Sequence, residues 1–429
     1  MEADAGSGRG ARGERPGGLI PSGMRSPRIA ALAALLLLAA PFAGCSSGPA
    51  PASTTIGIGV DLPLSGADAS VGTSTLDGIK LAVARANAQG VPGGFTFAVQ
   101  ALDDTQQGVH NPQQGASNVR TLIADDSVLA IIGPYNSNVA AAEIPITNQA
   151  GIVQISPSAV SDGLTLGAGA AMLRRANPTV NTFFRVCTTD SRQGSAAARF
   201  ALDLKLKRVY IVDDNETYGL DLANVFARDF AKLGGTVLGR DHIAPDTQDF
   251  KALLLKIKGY KPDFIFFGGT TSTGGGLLRR QMFDVGMGKV AFMGGDGIPD
   301  IAEVAKKRAD GTYYTVAAPN ADLLPAAKQF VAAYKAKFGS DVGPYSANAY
   351  AAAEVAISAI EQAIVANGKK MPTRAQVLAK IPRSAKNEVL TPIGPISFDK
   401  NGDVRKPVIS LYAIRNGRSA FIEQLNLSE

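Results

Sequence analysis

The chain has 429 residues, 45% of them hydrophobic. That is enough apolar material for a large core and enough length for two lobes, and it excludes a disordered chain. The formal charge of +6 is diffuse: residues 1–44 hold five Arg against three acids, and the remainder holds 38 basic against 34 acidic residues. No dense basic run with interleaved aromatics occurs, which argues against a nucleic-acid surface.

Met24 to Arg28 is a short basic opening, and Ile29 to Ala40 is an unbroken apolar run of twelve residues. That length fits a signal h-region and is too short to span a bilayer. Pro41-Phe42-Ala43-Gly44-Cys45 follows, then the linker-like Ser46 to Pro51. Small residues before a cysteine resemble a bacterial lipobox, with Cys45 lipidated as the first mature residue, although Phe42 stands where an aliphatic residue is usual. Ordinary cleavage near Ala43 is the alternative. The expected boundaries are a signal region over 1–44, with the true start at Met24, and a lipidated tether over 45–53. With Cys45 lipidated, only Cys187 is left and no intramolecular disulfide can form. In the strand-like run Phe183 to Cys187 that thiol reads as buried and inert.

From Thr55 the pattern is strand, then helix, repeated. Ile56, Ile58 and Val60 alternate toward Asp61, and Leu76, Ile79, Val83 and Ala86 fall at helical spacing before Gly90. Phe95 to Leu102 is the next strand, and Asn111-Pro112 opens a helix running to about Asp125. Leu129 to Ile132 is a short buried strand closed by Gly133 and Pro134. Asn136, Ser137 and Asn138 then precede an alanine-rich helix, so a hydroxyl and unpaired backbone N–H groups meet at a helix start suited to an anion. Ile152 to Ile155 repeats the pattern, ending in Ser156, Pro157, Ser158 and Ala159. Ligands in open α/β sheets sit at the carboxyl ends of strands, so these two polar strand ends predict one wall of a pocket. Capping and turn formation are the alternative roles for Ser137 and Pro157.

Around Phe183 to Thr188 the pattern restarts. Helices are predicted over Ser195 to Lys205, from Tyr218, and over Phe250 to Ile257 and Gly276 to Phe283. Strands are predicted over Arg208 to Asp213, Thr236 to Arg240, Asp263 to Phe267, Val290 to Met293 and Tyr313 to Val316. Two units of similar pattern imply two similar lobes, each a parallel sheet with helices on both faces. Long helices follow over Leu324 to Phe338 and Ala347 to Asn367. The end of the chain, with Ile396 to Phe398, Asn401-Gly402, Val408 to Ile414 and Asn416-Gly417, reads as short antiparallel strands and tight turns. Asp399 to Asp403 lacks the spaced ligands of a calcium loop and reads as a hairpin turn.

His110 and His242 sit in polar loops with no partner at metal spacing. There is no Walker A loop, no GxGxxG after a strand, no GxSxG and no CxxC. Gly274-Gly275-Gly276 lacks a following Lys-Ser/Thr and reads as a close backbone approach or a mobile turn rather than a phosphate loop. An exported chain with no catalytic constellation and no metal set reads as a binder, with no cofactor expected.

The stretches IGIGVDLPLSG, DGIKLAVARANAQG, IIGPYNSN, GIVQISPSA, ETYGLDL, KPDFIFFGG, AFMGGDG, SANAYAA and IGPISFDKNGD, in this order, resemble ABC-transporter solute-binding proteins of the branched-chain amino-acid type. This is the periplasmic leucine/isoleucine/valine-binding family, and the resemblance covers nearly all of residues 54 to 416. It implies a type I periplasmic-binding fold, α/β, with two doubly wound parallel-sheet lobes joined by three crossovers. Residues 54–186 plus 318–390 would form the N-terminal lobe and 187–317 plus 391–429 the C-terminal lobe. By position, Ser137, Ser158 and Ala159 resemble the residues that receive the ligand's carboxylate, and Val160 stands where the family often has a threonine. Asp296 resembles the acid that takes the ammonium, Tyr218 the aromatic contact from the second lobe, and Tyr345 an aromatic of the side-chain pocket. Val71 and Thr270 fall where some relatives place tyrosines. The implied partners are an amino acid, a membrane ABC permease and, through Cys45, the outer face of the membrane, with the protein a monomer.

The chemistry of an α-amino acid matches this assignment, because its anion and cation need donors on one side and an acid on the other. Ser137 with its helix end supplies the first; Asp296, after a strand and flanked by Gly295 and Gly297, supplies the second. The changes at Val71, Val160 and Thr270 leave open an amide, a urea or an aromatic acid, for which Asp296 would be a hydrogen-bond acceptor. A sensor presenting its bound state to a signalling kinase is a further alternative. An extracellular hydrolase would need a nucleophile and base that the sequence does not show.

Overall fold

The computed structural model describes residues 54–427. The expected signal region over 1–44, Cys45 and the expected tether over 45–53 lie outside them. Two sheets organise these residues. The first runs in the order Thr96–Asp103, Thr55–Leu62, Val128–Ile132, Val153–Ser156, Phe183–Arg185, every pair parallel. Ile56 to Leu62 are all buried, as expected of a central strand covered by helices on both faces. The second runs Arg418–Asn426, Val408–Arg415, Thr312–Val316, Ala291–Gly294, Phe264–Gly268, Arg208–Asp213, Thr236–His242. Val408–Arg415 pairs antiparallel with both of its neighbours, and the remaining pairs are parallel.

In each sheet the strand order reverses once, between Thr55–Leu62 and Val128–Ile132 and between Arg208–Asp213 and Phe264–Gly268. Crevices open at such switch points beyond the strands' carboxyl ends. The turns that begin at Gly133 and Gly269 are therefore where a ligand belongs.

The helix Ser346–Ala366 is apolar and long enough to cross a membrane by length and composition, yet most of it is buried. It packs along Ala69–Gln89. Gly78 permits this: a Cβ there would lie 2.2 Å from the Ser346 carbonyl oxygen. The close approach fixes the start of the second helix, and with it Tyr345.

Some boundaries differ from the sequence reading. The helix expected from Ser195 starts at Asp190, because the polar run Thr188-Thr189-Asp190 is buried at a crossing between the sheets instead of forming a solvated loop. The helix expected from Leu324 starts at Lys328, since Pro325 turns the preceding residues into a 3-10 segment. Gly274 approaches Phe250 closely, as a glycine turn should, with a Cβ position 2.9 Å from the ring.

The chain passes between the sheets after Arg185, after Val316 and before Val408. The crossings touch: Thr188 N–H donates to the Ala317 carbonyl at 3.3 Å, and the Ser410 hydroxyl donates to the Ala318 carbonyl at 2.7 Å. The third crossing falls later than the expected boundary at 391. Residues 391 to 403 stay with the first lobe, where Asp403 bridges to Arg185 and Phe398 packs on Phe184 with ring centroids 5.0 Å apart. Asp399 accepts from the backbone N–H groups of Asn401, Gly402 and Asp403, a turn and not a calcium loop.

Arg185 ties this segment down. Its side chain is fully buried, and Nε donates to Asp403 Oδ1 at 2.6 Å. Nη1 donates to the carbonyls of Ala159 and Ser161 at 3.0 and 2.7 Å, and Nη2 to the Thr165 hydroxyl. Removing it strands a carboxylate and two buried carbonyls. Arg185→Met should therefore destabilise the protein by about 3–5 kcal/mol in urea denaturation. A loss below about 1 kcal/mol would show that the segment is held by other contacts.

Candidate functional site

The first-lobe wall grows from the two strand ends that face the crevice. Past Ile132 the chain turns through Gly133 and Pro134 and enters the helix Ser137–Ala150, with Asn136 at its N-cap. Ser156, at the next strand end, donates to the Pro134 carbonyl at 2.7 Å and accepts from the N–H groups of Ala159 and Ser158 at 2.8 and 3.2 Å. The two backbone donors expected to meet a carboxylate are thus held by a neighbouring hydroxyl. Ser137 Oγ accepts from Ser161 N–H at 3.2 Å, and Ser158 Oγ donates to the Tyr135 carbonyl at 2.9 Å. The Asn136 side-chain oxygen is buried and has no partner among the described residues. Its amide can present donor or acceptor, and it stands beside the first-turn N–H groups, which lack intrahelical partners.

The second-lobe wall carries Asp296 on the turn after the strand Ala291–Gly294. Gly297 must be glycine, because a Cβ would fall 2.3 Å from the Gly269 carbonyl oxygen. Its N–H donates to the Tyr218 hydroxyl oxygen at 3.1 Å, which fixes Tyr218 in the first turn of the helix Thr217–Lys232. Asp296 is 4% exposed. The Tyr345 hydroxyl donates to it, and the neighbouring Tyr218 and Gln193 side chains favour its charged form. Burial pushes its pKa up, and these side chains oppose the rise. Nearby Asp190 is wholly buried with neither carboxyl oxygen bonded, and burial together with Asp296 pushes it well above the usual range. Tyr135 closes the space: its ring meets Tyr345 edge-on at 5.5 Å, and its hydroxyl points to the Asp296 carbonyl at 3.4 Å.

Ser137, Ser158, Val160, Tyr218, Thr270 and Asp296 line one cavity, joined by Tyr135, Asn136 and Gly297. Tyr345 reaches it through its bond to Asp296. Ala159 does not line it: the residue is wholly buried, with its carbonyl turned to Arg185. Val71 lines a separate outer cleft. Tyr135 lines the cavity and Asp190 stands beside Asp296 without having been singled out in the sequence, whereas Asn136, named there only as part of the turn before the helix, lines the cavity itself. The cavity measures about 10 Å³, space for roughly one water. An amino acid enters only if the lobes part or the tyrosine rings move.

A latch spans the cleft near this cavity. His110 is buried, contrary to the polar loop expected from sequence, because Val109–His110 pairs with Thr105–Gln106 and turns the ring inward. Its Nε2 lies 2.8 Å from Glu216 on the second lobe and its Nδ1 3.3 Å from Asp68 on the first. Asp68 also accepts from the Ser272 hydroxyl across the cleft. Burial opposes charge on the ring, but the two carboxylates outweigh it and push His110 up to about 10. His242 is half-exposed and lies 2.7 Å from Asp213. Among the described residues no group of three or more His, Cys, Asp or Glu could hold a metal ion. Cys187 is buried and unpaired, its thiol pushed up by burial.

Two doubly wound lobes, three crossings and a polar cavity between switch points define a two-lobed binder of small molecules. The chain belongs to the periplasmic binding protein family, which matches over residues 55–417. The Leu/Ile/Val-binding protein BraC3 of Rhizobium johnstonii is 30% identical over 370 residues, 86% of this chain and 94% of that protein. The leucine-binding protein LivK of Thermotoga maritima superposes with a TM-score of 0.74 at 27% identity, covering 86% of this chain and 99% of that one. LivJ of Streptococcus pneumoniae, a branched-chain amino-acid transporter substrate-binding protein solved with isoleucine, gives 0.73 at 25%, covering 87% and 100%. The fold is thus the type I periplasmic-binding fold, and the chain is a solute-binding protein of the ABC-transporter class. Family and relatives are binding proteins and not enzymes.

The His110 latch has a signed pH dependence. The folded value of about 10 lies above the ordinary 6.5, so its stabilisation is complete below about pH 6.5 and is lost as pH rises through 10. His110→Gln should lower unfolding free energy by about 2–4 kcal/mol at pH 6, and the gap to wild type should close by pH 10.5. Urea titrations at the two pH values check this, and a pH-independent gap contradicts it.

Proposed function

We propose that this protein is the extracytoplasmic receptor of an ABC importer and holds an α-amino acid between its lobes for delivery to a membrane permease. Branched-chain amino acids are the first ligands to try, since Leu, Ile and Val appear in the names of its relatives. In this reading the chain works as a monomer, anchored at Cys45 to the outer face of the membrane. The observation that carries it is that the Asn136–Ser137 helix start on one lobe and the buried Asp296 on the other line the same cavity. An anion at the helix start and an ammonium at Asp296 would use both walls. Ser158 and Val160 border the carboxylate end, while Thr270, Tyr218 and Tyr345 border the rest. Ala159 and Val71 have no direct contact in this arrangement.

Closure would report occupancy. The solute's ammonium competes with the Tyr345 hydroxyl for Asp296, so the inter-lobe bonds at the cavity differ between empty and filled forms. A second reading is favoured by one observation: Asp296 already has tyrosine donors, and burial raises its pKa. A carboxylic acid without an ammonium would leave that arrangement intact and lie among the three tyrosine rings.

The two readings separate on one substitution. A thermal-shift screen of amino acids and aromatic acids first finds the solute, because a ligand held only by the folded state raises Tm. Asp296→Asn should then weaken an amino acid at least ~30-fold by calorimetry, from ~2–5 kcal/mol for a lost buried charge partner. Unchanged affinity for an amino acid contradicts the ammonium assignment.

A further inference from the structure

Beyond the small cavity at Asp296 lies a larger cleft of about 620 Å³, a volume in the usual range for small-molecule sites. Its first-lobe wall includes Val71, Ser74 and Pro344, and its second-lobe wall Pro299, Asp300 and Glu303. The two spaces share their framework. Tyr345 bonds Asp296 in the inner one while its neighbour Pro344 lines the outer. Gly297 lines the inner and Pro299 the outer. Asp296 and Asp300 are four residues apart, so no more than about 14 Å of chain separates them.

The outer cleft is acidic. Asp77, Asp300, Glu303 and Asp341 line it, and no Lys, Arg or His does. Asp77 and Asp341 have lysines at 3.5 and 3.0 Å. Asp300 is different: it is 9% exposed, its Oδ1 accepts from the Thr271 hydroxyl at 2.7 Å, and its Oδ2 is buried without a partner among the described residues. Burial, and then the Asp68 carboxylate, push it up to about 8. A buried carboxyl short of a donor is costly; its free oxygen has almost no accessible surface, so a cation in the cleft would favour the charged carboxylate through space. Val71, Pro299 and Pro344 give the same cleft apolar surface for a methylene chain.

We propose that the outer cleft seats the cationic end of an elongated solute, an ammonium or guanidinium group paired with Asp300, its aliphatic spacer lying against Val71 and Pro344. This rests on the amino-acid reading of the inner cavity and narrows the solute class to amino acids with a long basic side chain. The α-carboxylate and α-ammonium then take the inner cavity and the side-chain cation the outer cleft.

Calorimetry on the purified protein with lysine, norleucine and cadaverine tests this, since the three keep one chain and remove one charged end at a time. Lysine should bind at least 10-fold more tightly than norleucine. Asp300→Asn should erase that ratio and leave norleucine within about twofold of wild type. Equal affinity for lysine and norleucine in wild type, or a ratio that survives Asp300→Asn, overturns the proposal while leaving the amino-acid reading intact. Cadaverine bound as tightly as lysine would keep the cation site and overturn the carboxylate grip in the inner cavity. No binding of any of the three overturns the proposal, and binding of a branched-chain amino acid in the thermal-shift screen would still leave the amino-acid reading standing.

Discussion

A carboxyl buried as deeply as Asp296 must find donors or give up its charge, and Asp296 finds them on both sides of the cleft. Tyr218 and Gln193 of its own lobe favour the charged form, and the Tyr345 hydroxyl donates from the start of the helix that packs on the first sheet. The satisfaction of one carboxylate is therefore tied to the relative position of the two lobes. The rest of the site follows from that constraint. Gly297 lets the turn pass under Gly269, Gly78 lets the Tyr345 helix sit close, and the crossings at Ala317 and Ala318 hold the pivot between them. Tyr345 touches this pivot too, its hydroxyl oxygen accepting from Ala317 N–H at 3.2 Å. Cavity and pivot thus share one side chain.

The inter-lobe contacts are of two kinds. Around Asp296 they are hydrogen bonds at the place where a solute would compete. At His110 they are a buried ion bridge between Asp68 and Glu216, none of which lines the cavity. The first kind can exchange protein donors for solute donors with little net change, whereas the second favours closure whatever the solute. A receptor built this way sets its closing equilibrium with the latch and its selectivity with the cavity.

The strands and most helices were legible because their signals are local. Alternation in Ile56, Ile58 and Val60, capped starts such as Asn111-Pro112, and glycine stops all act within one element. Much of the site was legible for the same reason: Ser137 and Asp296 stand where strands end in polar turns. What stayed hidden depends on partners distant in sequence. Arg185 lies within the strand-like run Phe183 to Cys187, and only the return of Asp403 beside it shows why a buried guanidinium is tolerated there. His110 looked solvated because Glu216 is 106 residues away. Tyr135 sits inside a turn already explained by its glycine, proline and asparagine, so no periodicity marked it as the ring that fills the cavity. Ala159 and Val71 show what position along the chain leaves out. Position after a strand says that a residue is near the cleft, but not that Arg185 turns Ala159 away or that Val71, in the first turn of the helix Ala69–Gln89, faces the outer cleft.

The central claim is that one lobe holds the solute's carboxylate while Asp296 on the other holds its ammonium. The most direct measurement compares, by calorimetry, the tightest-binding amino acid with the same molecule lacking only its α-amino group, in wild type and in Asp296→Asn. The account predicts that wild type loses at least ~30-fold in affinity when the amine is removed and that the variant loses almost nothing more, because the partner is already gone. Equal affinity of wild type for the two molecules would contradict it.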